Sequence, residues 1–307
     1  MKIRARIAGF SRSAGLIGLG LVVCLAASCS LPGKLTGERY ALMIGISEYI
    51  SPTIQDLGYP KDDAQDLGAL LDQSGWNVDS STLIDTGAIK AKIKTTMETY
   101  FKAIPSQATA LIYYSGHGSE DGSEAYIVPS DYGGTKASLI STTELSLWIQ
   151  DYILPYTSNV IVIIDACYSG GFVPQSDSLD IIDPDYDANF GSSVSSLALT
   201  GLGDLGVLLA KNLEQSGKLE PIVMSASGSE ELSWESSSLK HGVFTYYLMK
   251  AAESGDTNRD DYVSATEAYT YAAKGIDKNW NELYGNSAAF YPHITGGLRD
   301  LVLFDLH

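Results

Sequence analysis

The chain has 307 residues, 45% of them hydrophobic, and a formal net charge of −17. That apolar share supports a packed core and excludes wholesale disorder, and the length suits one large domain or two small ones. The acidity excludes nucleic acid and anionic lipid as partners of a folded domain.

In chain order, the N-terminus differs from the rest. Lys2, Arg4, Arg6 and Arg12 precede an apolar run that ends Leu-Ala-Ala-Ser before Cys29. A basic stretch followed by an apolar stretch too short to span a bilayer reads as an export signal. Its end resembles the lipobox of bacterial lipoproteins. That implies removal of residues 1–28 and acylation of Cys29. It also implies residence in the cell envelope, facing periplasm or exterior, with membrane contact through the lipid alone. Val23 is too bulky to make Cys24 the processed residue. Residues 29–38 then form a tether, and 39–307 form the domain. Of the three cysteines, Cys167 is the thiol left to explain in an oxidising compartment.

The domain alternates strands and helices. Residues 40–47 read as a buried strand. A helix starts at Pro60 and puts Ala64, Leu67, Leu70 and Leu71 on one face. A strand over 76–85, a helix over 88–104 and a strand over 108–118 follow, the last running into glycines. Residues 124–131 suggest a strand or hairpin, and Thr142 or Thr143 caps a helix ending near Ile153. The apolar strand 159–165 stops at Asp165, just before Cys167. Residues 172–220 are acidic, turn-rich and aperiodic; the strand 221–227 resumes the pattern. Two helices, one closed by Gly255, and a last strand in 298–304 complete it. The pattern predicts an α/β fold: a mostly parallel sheet of about six strands with helices on both faces.

Ligands of open α/β sheets bind outside the carboxyl ends of the strands. Two strand ends carry reactive groups: Ser115-Gly116-His117-Gly118 and Asp165-Ala166-Cys167. Parallel strands bring both tips to one edge, so His117 and Cys167 meet there although 50 residues separate them. A thiol needs a base to become a nucleophile, and imidazole supplies one. The backbone N–H groups of Gly118 and Cys167 are candidates to hold an oxyanion. This is equipment for acyl transfer through a thioester, with no cofactor required. Asp165 lies two residues from the thiol on the same side of the strand, where its charge opposes thiolate formation unless a cation arrives.

The stretches YALMIGISEY, YPKDDAQDL, YYSGHG and DACYSGG occur in this order over residues 39–306. Together they resemble the caspase-fold cysteine peptidases, nearest to bacterial caspase-like proteins and metacaspases. The resemblance implies a caspase-type α/β sandwich with His117 as base and Cys167 as nucleophile. It also implies a peptide or protein substrate with a basic residue before the scissile bond, bound by Asp63, Ser115 and Asp165. Metacaspases often have histidine straight after the catalytic cysteine; here Tyr168 stands there. The alternative is a catalytically inactive caspase-like module that acts by surface interaction.

Two further expectations follow. Asp256, Asn258, Asp260, the Tyr262 carbonyl, Ser264 and Glu267 fall at positions 1, 3, 5, 7, 9 and 12 of a calcium-binding EF-hand loop, with Asp261 where glycine is usual. A structural Ca²⁺ is the implied occupant. Lys211 and Lys218 are the basic residues between Lys136 and Lys240. They lie where caspase-type peptidases join their two subunits, and the polar turn around Lys218 favours cutting there. Incubation of the wild-type chain should yield a fragment beginning at Leu219, read by N-terminal mass spectrometry. The same fragment from Cys167→Ala would reject self-cleavage.

Overall fold

The computed structural model describes residues 37–52, 54–120, 124–166, 221–227, 232–295 and 301–307. Residues 1–36 with Cys29, residues 167–220 with Cys167, Tyr168, Lys211 and Lys218, and residues 298–300 of the expected last strand lie outside the described residues.

The first half of the domain contains β1 (Arg39–Gly45), α1 (Pro60–Gln73), β2 (Asn77–Ile84), α2 (Lys90–Phe101) and β3 (Thr109–Ser115). Three short strands follow, β4 (Gly118–Glu120), β5 (Ala125–Ile127) and β6 (Ile140–Ser141), then α3 (Thr142–Tyr152) and β7 (Asn159–Asp165). Next come β8 (Ile222–Ser225), β9 (Glu235–Ser236), β10 (His241–Gly242) and α4 (Val243–Ser254). The chain closes with β11 (Tyr262–Ser264), α5 (Ala265–Ile276), β12 (His293–Thr295) and β13 (Val302–Asp305).

The main sheet has six strands in the order β12-β8-β7-β3-β1-β2. Every neighbouring pair is parallel except β12 with β8. This is the sheet the sequence predicts. Side chains alternate between two cores. Leu42, Ile44, Ile112, Val162 and Ile164 pack on the face covered by α2 and α3. Met43, Leu111, Tyr113, Ile161 and Ile163 pack on the face covered by α1, α4 and α5. Apolar side chains on both faces explain why these strands read as unbroken hydrophobic runs. Gly45 lets α1 sit close over the end of β1, since a Cβ there would lie 2.4 Å from the Pro60 carbonyl oxygen.

Three details depart from the expectations. Ser141, rather than Thr142 or Thr143, caps α3: it keeps extended backbone angles, and its Oγ accepts from Glu144 N at 3.1 Å. Val302–Asp305 leaves the main sheet and pairs with β11 in a separate ribbon. The sixth strand of the main sheet is instead His293–Thr295, three residues too short to show a period.

The loop 256–267 takes the shape its spacing implies. Asp256 Oδ1 accepts from Arg259 N and Asp260 N, and its Oδ2 accepts from Asp261 N. Asp261 has φ 67°, the left-handed turn that glycine usually supplies at that position. Ser264 and Glu267 form a capping box at the start of α5. Glu267 Oε1 also accepts from Thr257 N and Thr257 Oγ1 at 3.0 and 2.6 Å. Both carboxylate oxygens of Glu267 are therefore engaged by the chain. Among the described residues no group of three or more His, Cys, Asp or Glu side chains is placed to hold a metal ion. The calcium expectation thus rests on loop shape and spacing. Removing the cap and the Thr257 bonds by Glu267→Ala should cost about 1–2 kcal/mol, read by urea unfolding. If the loop takes calcium, millimolar Ca²⁺ raises the wild-type midpoint and leaves that of Glu267→Ala unchanged.

Candidate active site

In the β3–β7 pairing, Ser115 lies opposite Asp165. Gly116 N donates to the Asp165 carbonyl at 3.3 Å, so the two strand tips stay joined as they leave the sheet. His117 follows one tip by two residues, and Cys167 follows the other by two. The pairing thus brings the tips of β3 and β7 to one edge of the sheet. The description stops at Ala166, one residue short of the thiol.

His117 is buried and held from several sides. Its backbone N donates to Tyr49 Oη at 2.8 Å, and the two rings lie 4.9 Å apart. Its carbonyl accepts from Tyr114 Oη at 2.6 Å and Val128 N at 3.1 Å. Its Nε2 lies 2.7 Å from the Gln55 carbonyl oxygen. A carbonyl only accepts, so the neutral ring carries its hydrogen on Nε2 and its lone pair on Nδ1. Gln55 and Tyr49 belong to one loop, itself tied down by Asp85. Ser47 N and Glu48 N donate to Asp85 Oδ1 at 3.0 and 3.2 Å, and Lys61 Nζ pairs with its Oδ2 at 3.1 Å. Gly118 opens β4, opposite Ile127 of β5.

Beside these tips lies a pocket of about 280 Å³, counted to its open mouth. Its polar wall is Asp63, Ser115, Asp165 and Glu235, with Trp234 and Gly242 beside them. The side-chain parity of the fold assembles it. Ser115 and Asp165 fall on the face of Tyr113 and Ile163, toward α1 and α4, where Asp63 and Thr245 wait. Asp63 Oδ2 accepts from Ser115 Oγ, and both its oxygens accept from Gly242 N, all at 3.1 Å. Asp63 Oδ1 also lies 2.9 Å from His241 Nδ1. Asp165 Oδ1 accepts from Ser233 Oγ at 2.6 Å, and its Oδ2 accepts from Thr245 N and Oγ1 at 3.1 and 2.6 Å. Glu235 accepts from Gly58 N and Tyr59 N, both at 3.0 Å.

Burial disfavours charge on all three acids. It pushes Asp63 up to about 7, with the nearby Asp165 adding to the rise while His241 and Gly242 oppose it. Glu235 is likewise pushed up to about 7 by burial, against the two backbone N–H bonds. Asp165 is also raised by burial, against its bonds from Ser233 and Thr245. The predicted trio Asp63, Ser115 and Asp165 is therefore brought together. Glu235, His241, Gln55 and Tyr49 were not singled out for this site. Glu235 lies in LSWESSS, a stretch without period, where a lone acid among small residues is the only trace. His241 lies in β10, directly before α4, and sits on a pocket carboxylate.

Residues 38–283 match the Caspase domain family. No curated protein matches the chain. In structure it is similar to a Geobacter sulfurreducens protein, with TM-score 0.53 and 15% sequence identity over 84% of this chain and 92% of that one. It is also similar to caspase-1 from Spodoptera frugiperda, with TM-score 0.58 and 13% identity over 90% of this chain and 96% of that one. At such identities the likeness concerns the fold, a mostly parallel sheet between helical layers. The family match spans most of the domain and includes both reactive strand ends. A fold of cysteine peptidases, which take protein or peptide substrates, thus accounts for the architecture, and this chain belongs to the caspase domain family.

Proposed function

We propose that the protein is a cysteine endopeptidase that cuts after lysine or arginine. The observation that carries this reading is the pocket one residue from His117, whose wall holds three buried carboxylates. Uncompensated buried charge is costly, and these acids are drawn up toward neutrality for that reason. An arriving ammonium or guanidinium stabilises their ionised forms. An aspartate side chain of a substrate would instead add a further carboxylate to the cluster.

The chemistry then runs through the chain's own groups. His117 Nδ1 takes the thiol proton of Cys167, while Gln55 holds the ring by its Nε2 hydrogen. The thiolate attacks the scissile carbonyl carbon, and the N–H groups of Gly118 and Cys167 hold the oxyanion. Collapse expels the amine, which leaves with the proton from His117. Water, deprotonated by His117, cleaves the thioester and restores the thiol. No cofactor enters these steps. Cys29 as a lipid-bearing residue would hold the enzyme at a membrane surface in the cell envelope. Among the described residues no helix is long and apolar enough to cross a membrane.

A lysine or arginine chloromethyl ketone should label Cys167, and His117→Ala should abolish that labelling. A fluorogenic peptide panel should favour lysine and arginine before the scissile bond. Asp165→Asn should lower kcat/KM on such peptides by about 100-fold, the size expected for truncating one partner of a buried charge pair. Preference for acidic peptides, or full activity in Asp165→Asn, would overturn the assignment. An unlabelled Cys167 in folded protein would favour the inactive interaction module.

The pocket acids also set a pH dependence. Unfolded, they ionise near the usual carboxylate values; folded, Asp63 and Glu235 do so near 7. The folded chain binds more protons across that window, so these groups lower stability as pH rises from about 4 to about 7. Glu235→Gln should flatten this decline by on the order of 2–3 kcal/mol, measured by urea unfolding at several pH values. Parallel pH profiles for wild type and variant would refute it.

A further inference from the structure

Of the three buried carboxyl groups in the pocket, Asp63 has an imidazole beside it. His241 Nδ1 lies 2.9 Å from Asp63 Oδ1, and its Nε2 lies 3.6 Å from Asp66 Oδ2. The short ladder of β9 and β10 places it there, pairing His241 with Ser236 and Gly242 with Glu235. Gly242 brings the chain between the two aspartates: a Cβ at that position would lie 2.6 Å from Asp165 Oδ2 and 3.0 Å from Asp63 Oδ2. The backbone therefore threads past both carboxylates and sets the imidazole on Asp63.

The charged and titratable groups around the ring favour imidazolium. Asp62, Asp63 and Asp66 face it from α1, and Asp165 acts on it from β7. Glu235 stands opposite the next residue on β9. From α4, Tyr246 stacks 6.4 Å away, and Lys250 lies over that tyrosine while paired with Glu253. Lys240 precedes it in the chain. The bond that its Nδ1–H donates to Asp63 holds the imidazole above its ordinary pKa, against the half-burial that would lower it.

The charge balance then dictates a competition. With Asp63 ionised and His241 protonated, the pair is neutral, and a substrate cation brought to Asp63 meets another cation beside it. With Asp63 ionised and His241 neutral, the pair is negative and Nδ1–H still donates to Asp63. We propose that His241 is a specificity-determining residue, a resident cation whose charge a substrate lysine or arginine side chain replaces: as the ammonium or guanidinium seats on Asp63 and Asp165, the imidazolium releases one proton to solvent. A neutral side chain of similar length cannot replace that charge, so the pocket rejects it on electrostatic grounds as well as by hydrogen bonding. The assignment rests on the proposed basic-residue pocket.

The test follows the histidine directly. The full chain, with isotope-labelled histidine, is titrated by NMR with and without saturating benzamidine, a rigid cationic probe. The His241 resonance is identified by its absence in His241→Gln. By reciprocity of linked binding, the His241 pKa should fall by one unit or more in the complex, and benzamidine should bind about tenfold more weakly for each pH unit below the free-state value. Wild-type protein should release protons on binding, measured by calorimetry in two buffers of different ionisation enthalpy. His241→Gln should release fewer. Benzamidine binding with an unchanged His241 pKa would overturn this assignment and leave the basic pocket standing. Absence of benzamidine binding would overturn the basic pocket, and the role of His241 with it.

Discussion

The in-register parallel pairing of β3 with β7 is the constraint on which the rest of the site depends. It sets Ser115 opposite Asp165 and so decides which face of the sheet each side chain enters. Because side chains alternate strictly, a slip of one residue in either strand would move its polar tip to the opposite face. There it would meet the apolar layer of α2 and α3 instead of Asp63 and Thr245. The same slip would bury Tyr114 and Tyr113 in each other's places, and both are fully buried where they are. The apolar bodies of the strands thus hold the register that their polar ends require.

A second constraint is electrostatic. Asp63, Asp165 and Glu235 are withdrawn from water, and each keeps its place because backbone and hydroxyl donors converge on it. Gly242 N serves both oxygens of Asp63, Thr245 serves Asp165 twice, and the turn at Gly58 and Tyr59 serves Glu235. With Ser115 Oγ on Asp63 and Ser233 Oγ on Asp165, these donors come from four separate segments. Folding therefore assembles a cluster of buried carboxyl groups that no single segment could stabilise, and burial disfavours charge on each of them. The side bearing His117 is organised differently: His117 is gripped mainly by backbone groups and by tyrosines, which orient the ring while adding no charge.

The likeness to solved structures is one of architecture, at 13–15% identity. The candidate site of this caspase-domain chain lies at the edge of the sheet. The position is consistent with the general rule for open α/β sheets, in which loops after the strands carry function while the strands supply rigidity. The loop bearing Tyr49 and Gln55 follows β1, the Gly-His-Gly turn follows β3, and the segment bearing Cys167 follows β7. β3 and β7, which precede His117 and Cys167 in the chain, are buried throughout, with apolar residues between polar ends.

By itself, the sequence determined the sheet and the identity of its reactive tips. Long apolar strands alternating with amphipathic helices carry a period strong enough to read locally, and the runs ending at Ser115 and Asp165 needed no partner to declare themselves. Short elements escaped: β12 has three residues, and β9 and β10 have two each, lengths at which no period exists. Those elements hold Glu235 and His241, so the third pocket acid and the imidazole beside Asp63 were invisible for the same reason. Their roles arise from contacts between residues up to 178 positions apart in the chain, such as His241 with Asp63. Burial, too, is a property of the assembled layers. A carboxylate's position in sequence says that an acid is present; only the tertiary structure decides that water is excluded from it, and hence that its charge demands a partner.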